Sequence, residues 1–176
     1  MTALEELRAR QRPLKERYRE DAAAAVVTLS ASGRLGDEAV SCSVATGRQL
    51  VEAGLHPASG GDGSLACSGD MLLQALVACA GVTLRAVAVN RRLEVRGTVS
   101  AEGDLDFRGT LGVDGAAPVG FRSIRLRFDL ETSASAEEVA ALVATTERYC
   151  VVYQTISRAT DVQVMTGPPD EGRMPA

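Results

Sequence analysis

Residues 71–89 read MLLQALVACAGVTLRAVAV, a run in which Gln74, Thr83 and Arg85 are the only polar side chains. So long an apolar stretch is a helix, because strands seldom exceed about 10 residues. Its length approaches the ~20 residues of a membrane span. However, Gln74 and Arg85 lie inside it, alanine is abundant, and no basic flank sets an orientation. The expectation is therefore a helix that is apolar all round and buried at the centre of a globular domain, with no membrane contact. The chain has no Trp and only 3% aromatic residues, so Ala, Val and Leu must fill the core around this helix.

On both sides the apolar period falls to two, the signature of half-buried strands. VVTLSASGRLG and EAVSCSVATGRQLVEAG predict two or three antiparallel strands with turns at Gly33–Gly36 and Gly47. LEVRGTVSAEGDLDFRGTLGVDG, from Leu93, predicts a hairpin. In FRSIRLRFDLET, Ile124, Leu126, Phe128 and Leu130 alternate with charged residues, which predicts a strand with one wet face. Thr2-x-x-Glu5 and Ser135-x-x-Glu138 are capping boxes. The first opens a charged helical arm that Pro13 is expected to kink or split. The second opens a helix to about Arg148, followed by a helical VVYQTISRA and a short strand DVQVMT. The loop HPASGGDGSLACSGD feeds the central helix, with Ser68 or Asp70 as its expected N-cap.

These elements predict one α+β domain over residues 1–176, with mostly antiparallel sheets packed on the long central helix. Its parts are a charged arm (1–21), strands and a loop (22–66), the central helix (67–90), a second sheet with a helix pair (91–166) and a flexible tail (167–176).

The formal charge of −4 argues against a nucleic-acid partner held by general electrostatics. The N-terminal stretch is charged throughout and lacks the apolar region of an export signal, so a cytoplasmic location is expected. Four cysteines in such a chain are expected to be free thiols. They form no CxxC pair and the only histidine is His56, so neither a metal site nor a cofactor is expected. GGDG lacks the spacing of a phosphate loop.

With one histidine, in a loop beside Pro57, the catalytic inventory rests on thiols. A nucleophilic cysteine needs a thiolate favoured by positive charge or by a helix N-terminus, and a path for its substrate. Cys79 lies in the middle of the apolar helix, where a cysteine is equally a small core residue. Cys150 stands where one helix ends and another begins, a place that suits a lowered pKa or a plain junction residue. Cys42, in a strand, and Cys67, in the Gly-rich loop, carry no such signal.

The stretch GGDGSLACSGDMLLQALVACAGVTLRAVAV and, further on, GFRSIRLRFDLETSASAEEVAALVATTERYCVVYQTI resemble the OsmC/Ohr family of osmotically induced and organic hydroperoxide resistance proteins. The most specific pieces are LLxALxACxxxTL around Cys79 and YCVVYQT around Cys150. The resemblance implies an intertwined homodimer with a thiol peroxidase site at the subunit interface. Cys79 would attack the hydroperoxide and become a sulfenic acid. Cys150 would resolve it as a disulfide, and a dithiol such as a lipoyl protein would reduce that disulfide. It further implies an arginine and a glutamate beside the thiolate. Arg34 matches the arginine, while the glutamate position falls on Gly69 with Asp70 adjacent, as a substitute or as the helix cap. Family members often carry proline after the second cysteine, where this chain has Val151. Leu, Val and Ala side chains, with Tyr149 and Tyr153, would line an apolar substrate pocket. Two other functions fit the same residues: a non-enzymatic dimer binding a small apolar or electrophilic ligand, and thiol or sulfur transfer on the same cysteines.

Overall fold

A computed structural model of the chain describes residues 2–21, 23–26, 33–35, 41–46 and 49–167, the main chain alone at 33–35, 41–46 and 49. The chain divides into two units: residues 31–154, and residues 1–30 together with 155–176.

In the smaller unit, α1 (Ala3–Glu20) begins with the expected capping box, in which Thr2 and Glu5 each accept the other's main-chain N–H. Pro13 does not split this helix. Pro13 and Ala9 are both exposed, so water can satisfy the carbonyl that proline leaves without a donor. The expected strand DVQVMT is absent, and residues 159–166 form no regular structure. Val162, Val164 and Met165 are exposed there, and among the described residues no strand pairs with this segment.

The larger unit holds two sheets. In the first, β1 (Gly33–Leu35), β2 (Ser41–Thr46) and β3 (Gln49–Gly54) are antiparallel. Gly33, expected in a turn, is paired in β1 opposite Val44, whereas the turn positions Gly36 and Gly47 fall outside the described residues. A two-residue strand, β4 (Ala66–Cys67), joins β3 in parallel and leads straight into α2 (Ser68–Arg91). The N-cap of α2 is therefore Cys67, without a side-chain cap bond, and not Ser68 or Asp70. Pairing with β3 fixes the start of this helix, a tertiary constraint stronger than local capping chemistry.

The second sheet pairs β5 (Arg96–Leu105) with β6 (Phe121–Glu131) along their whole length. The hairpin therefore spans residues 96–131, not the shorter segment from Leu93 that period and glycines predict. The intervening loop contains a single helical turn, α3 (Phe107–Thr110), capped by Asp106. Gly109 is required in that loop, since a Cβ there would stand 2.5 Å from the Pro118 carbonyl oxygen.

α4 (Ala136–Tyr149) starts at the Ser135–Glu138 capping box, with acidic residues in its first turn and Arg148 in its last, both matched to the helix dipole. α5 (Val151–Ile156) follows after Cys150 alone. Leu84 and Ala88 of α2, Val95 and Leu142 of α4 form the buried core, flanked by Phe128 and Leu130 of β6. Arg85, an oddity in an apolar helix, donates 2.8 Å to the Val95 carbonyl. In this way it ties α2 to the entry of β5.

One expectation is corrected by this packing. α2 is not buried all round in the single chain: Leu76, Ala80, Leu84 and Ala88, every fourth residue, make one buried stripe. Leu72, one turn before that buried stretch, and Val82, on another side of the helix, are exposed, Val82 by 73%. α2 is also long and apolar enough to cross a membrane by length and composition.

Candidate active site

Cys79 sits midway along α2, beside the buried stripe and one turn from exposed Ala75 and Val82, and is itself half-buried. Cys150 is fully buried. It is both the C-cap of α4 and the residue that leads into α5. Its N–H donates to the Thr146 carbonyl at 2.9 Å, closing α4, and its carbonyl accepts from the Gln154 N–H at 2.9 Å, opening α5. Its Sγ accepts from the Tyr153 N–H at 3.5 Å, as a serine oxygen does at an N-cap. Gln154 Nε2 then reaches back 2.8 Å to the Glu147 carbonyl and locks the bend.

The first N–H groups of a helix have no partner within it. At this junction that of Tyr153 goes to Cys150 Sγ, and the main chain of Val152 and Val151, with the Cys150 and Thr83 side chains, acts on the ionisation of Cys79. Burial works to raise the Cys79 pKa, but the amides of Val152 and Val151 with the Cys150 and Thr83 donors outweigh it. The thiol therefore lies below its ordinary value. Cys150 is shifted the other way: burial pushes its thiol up, and its hydrogen bond to Cys79 holds the proton on. The arrangement yields one sulfur disposed to be a thiolate and one disposed to stay protonated. That is the division of labour in which one thiol attacks and the other condenses with the product.

Among the other candidates, Asp70 is not brought to this pair. Asp70 lies in the first turn of α2, exposed, beside Leu73, Gln74, Val77, Ala78 and Ala101. Nine positions before Cys79 it is about half a turn away around the axis. As neither cap nor neighbour of the thiols, it has no contact that would let it serve as the site's carboxylate. A Cβ at Gly69 would meet the Phe121 ring at 3.4 Å, so a side chain there would start against the second sheet. The main chain of Arg34 is paired with Ser43 in β1, and its side chain lies outside the described residues, as does that of Cys42. Cys67 is a free, half-buried thiol at the start of α2. His56 accepts the Ala58 N–H on Nδ1 at 3.0 Å and stacks on Phe107 at 4.9 Å, which is a structural role in its loop. Tyr149 is exposed beneath the Arg148 guanidinium, and Tyr153 is half-buried. Among the described residues no three His, Cys, Asp or Glu side chains cluster closely enough to hold a metal ion.

Sequence reasoning missed Val151, Val152 and Thr83 as donors. Thr83 had a legible signal, one turn after Cys79 on the same face. The two amides had none, because any residue but proline supplies an N–H.

The fold is similar to that of an OsmC-like protein from Mycoplasma pneumoniae, with a TM-score of 0.62 and 16% identity over 74% of this chain and 88% of that one. It is also similar to an organic hydroperoxide resistance protein OsmC from Legionella pneumophila, with a TM-score of 0.54 and 18% identity over 74% and 91% of the two chains. The organic hydroperoxide resistance protein OhrB of Bacillus subtilis gives a TM-score of 0.51 and 18% identity over 73% and 89%. A search of curated proteins finds no match. The sequence of residues 61–165, well over half of the chain, matches the family model of OsmC-like proteins. The chain belongs to the OsmC-like protein family.

Proposed function

We propose that the chain is a thiol peroxidase for organic hydroperoxides, with Cys79 as nucleophile and Cys150 as resolving thiol. The observation that carries this reading is the placing of Cys79 of α2 beside Cys150 at the α4–α5 junction, with one thiol lowered and its partner raised. The Cys79 thiolate attacks the outer oxygen of ROOH; the O–O bond breaks, ROH leaves with a proton, and sulfur is oxidised to Cys79–SOH. The Cys150 thiol then displaces hydroxide, releasing water and forming the S–S bond. A dithiol reductant returns both thiols and is itself oxidised to a disulfide.

Exposed Leu72 and Val82 on α2, with Tyr149 and Val151 at the helix junction, favour an apolar hydroperoxide over hydrogen peroxide. The exposed apolar residues of α2 also support a homodimer in which a second subunit covers them. Treatment with one equivalent of cumene hydroperoxide, followed by intact mass and peptide mapping, tests the reading. The expected product is a Cys79–Cys150 disulfide with one equivalent of cumyl alcohol. No oxidation, or equal oxidation of all four cysteines, would overturn it.

One observation favours a second reading, a non-enzymatic dimer that binds a small electrophile. Gly69 offers no side chain and Asp70 lies elsewhere on the helix, so the start of α2 brings no carboxylate to Cys79. In that case Cys79→Ser leaves ligand binding intact and wild-type protein turns over no peroxide.

A further inference from the structure

The match to the family begins at residue 61, so α1 (Ala3–Glu20) lies outside it, and the thiol chemistry makes no use of this helix. No residue of α1 is buried. Its apolar side chains are nevertheless ordered. Leu4, Leu7, Leu14 and Tyr18, with Gln11 among them, recur at alternating intervals of three and four, which places them on one narrow face. That is the spacing of a coiled-coil seam, whose side chains fit between those of a facing helix. Leu14 and Tyr18 are exposed. Pro13 falls on the outward side, so the seam runs past it without interruption.

The charges are sorted about this seam. Between Leu4 and Tyr18 the positions that flank it hold Arg8, Arg10, Lys15 and Arg17, all basic. The glutamates of the helix, Glu5, Glu6, Glu16 and Glu20, all take outward positions. The helix dipole accounts for acids in the first turn and for Arg17 and Arg19 in the last. It does not account for Arg8, Arg10 and Lys15 beside the seam, nor for Glu16 and Glu20 away from it.

We infer that α1 docks an acidic amphipathic helix of another protein, whose apolar side chains meet the seam and whose carboxylates pair with Arg8, Arg10, Lys15 and Arg17. Flanking charges of this kind choose the partner of a coiled coil. A second copy of α1 would set basic flank against basic flank, whether parallel or antiparallel, and like charges there oppose pairing. An anionic lipid surface calls for a basic polar side beneath a strong apolar face. Here the apolar stripe is narrow and the outward side carries the glutamates. Gln11, a polar residue within the seam, fixes the register of the pair at some cost in affinity.

The test titrates the full chain into a fluorescent synthetic helix about three heptads long, with leucine along its seam and glutamate at every flanking position. A second peptide carries lysine at those flanks. Fluorescence anisotropy at low salt should show the acidic peptide binding at least roughly tenfold tighter than the basic one, a preference that shrinks with added salt. Leu7→Ala with Leu14→Ala keeps a good helix former at each site and should weaken binding roughly thirtyfold or more. Arg10→Gln with Arg17→Gln should weaken it roughly fivefold by removing two flanking ion pairs. Arg12→Gln with Arg19→Gln removes the same charge from the outward side and should change it less than about twofold.

No binding of the acidic peptide, equal binding of both peptides, or equal losses in the two arginine pairs overturns the inference. Two further outcomes would assign the seam elsewhere and overturn it as well. One is binding of the full chain to phosphatidylserine vesicles that Leu7→Ala with Leu14→Ala abolishes. The other is a halving of the solution mass of the full chain by those same substitutions, read by light scattering, which would make a second copy the occupant.

Discussion

Cys79 and Cys150 act on one another's ionisation, and their pairing favours the charged form of Cys79 and the neutral form of Cys150. Removing the contact should therefore move Cys79 upward, since its folded value lies below the ordinary one and a donor is lost. Cys150→Ala is expected to shift Cys79 alkylation to higher pH, and Cys150→Ser, which keeps a hydroxyl donor and N-cap, to shift it less. After excess hydroperoxide, either variant should accumulate Cys79 sulfenic and then sulfinic acid, detectable by dimedone trapping and peptide mass.

Leu142 is completely buried where α4 meets α2, against Leu84 and Ala88. Leu142→Ala should cost about 2–5 kcal/mol by lost burial and a residual cavity. For a chain of this size that lowers the melting temperature by roughly 5–15 °C, readable by calorimetry. The reactive pair should suffer too, because the same α2–α4 packing sets Cys79 beside Cys150.

Two glycines separate backbone strain from collision. Gly97 has φ 128°, and a Cβ there would lie 1.9 Å from the Asp129 carbonyl oxygen on the neighbouring strand. Gly112 has φ 68° with nothing within 4 Å. Gly97→Ala is expected to destabilise by roughly 2–4 kcal/mol and Gly112→Ala by roughly 1–2 kcal/mol. Denaturant midpoints compare the two directly.

Acid should weaken the fold through two of its ion pairs, Asp106–Arg108 and Asp104–Arg125. Hydrogen bonding by Arg108 holds the Asp106 carboxyl at about 2, and Arg125 with Ser123 holds Asp104 further down. Both folded values lie below the ordinary 3.8, so the stability they add is present above about pH 4 and is lost as pH falls through the folded values. Thermal midpoints should be flat near neutrality and fall below pH 4. Asp106→Asn should blunt that fall, and added salt should shrink the effect most at the Asp104–Arg125 pair, where both side chains are exposed.

Much of this architecture was legible where local pattern and long-range packing agree. The alternation of β6, both capping boxes and the long apolar helix needed nothing from distant parts of the chain. The N-cap of α2 differs from the expected Ser68 or Asp70 because β4 pairs with β3 there and overrides the caps that these residues offer. The β5–β6 hairpin was drawn too short because its partner strand lies beyond a loop that its own glycines imitate. Membership of the cysteine pair was carried by motif likeness alone. What supports the sulfurs is main-chain N–H from a junction brought against α2 by tertiary packing, which no side-chain pattern encodes.

The one-sided packing of α2 also imposes an order in time. Cys150 is sealed by its own chain and Cys79 is not. An electrophile arriving from solvent meets the helix sulfur first, and the junction sulfur can respond only to what that encounter leaves behind. Difference in place thus implies a sequence of events: the first thiol to be reached is the one whose pKa is lowered, and the second is the one whose pKa is raised.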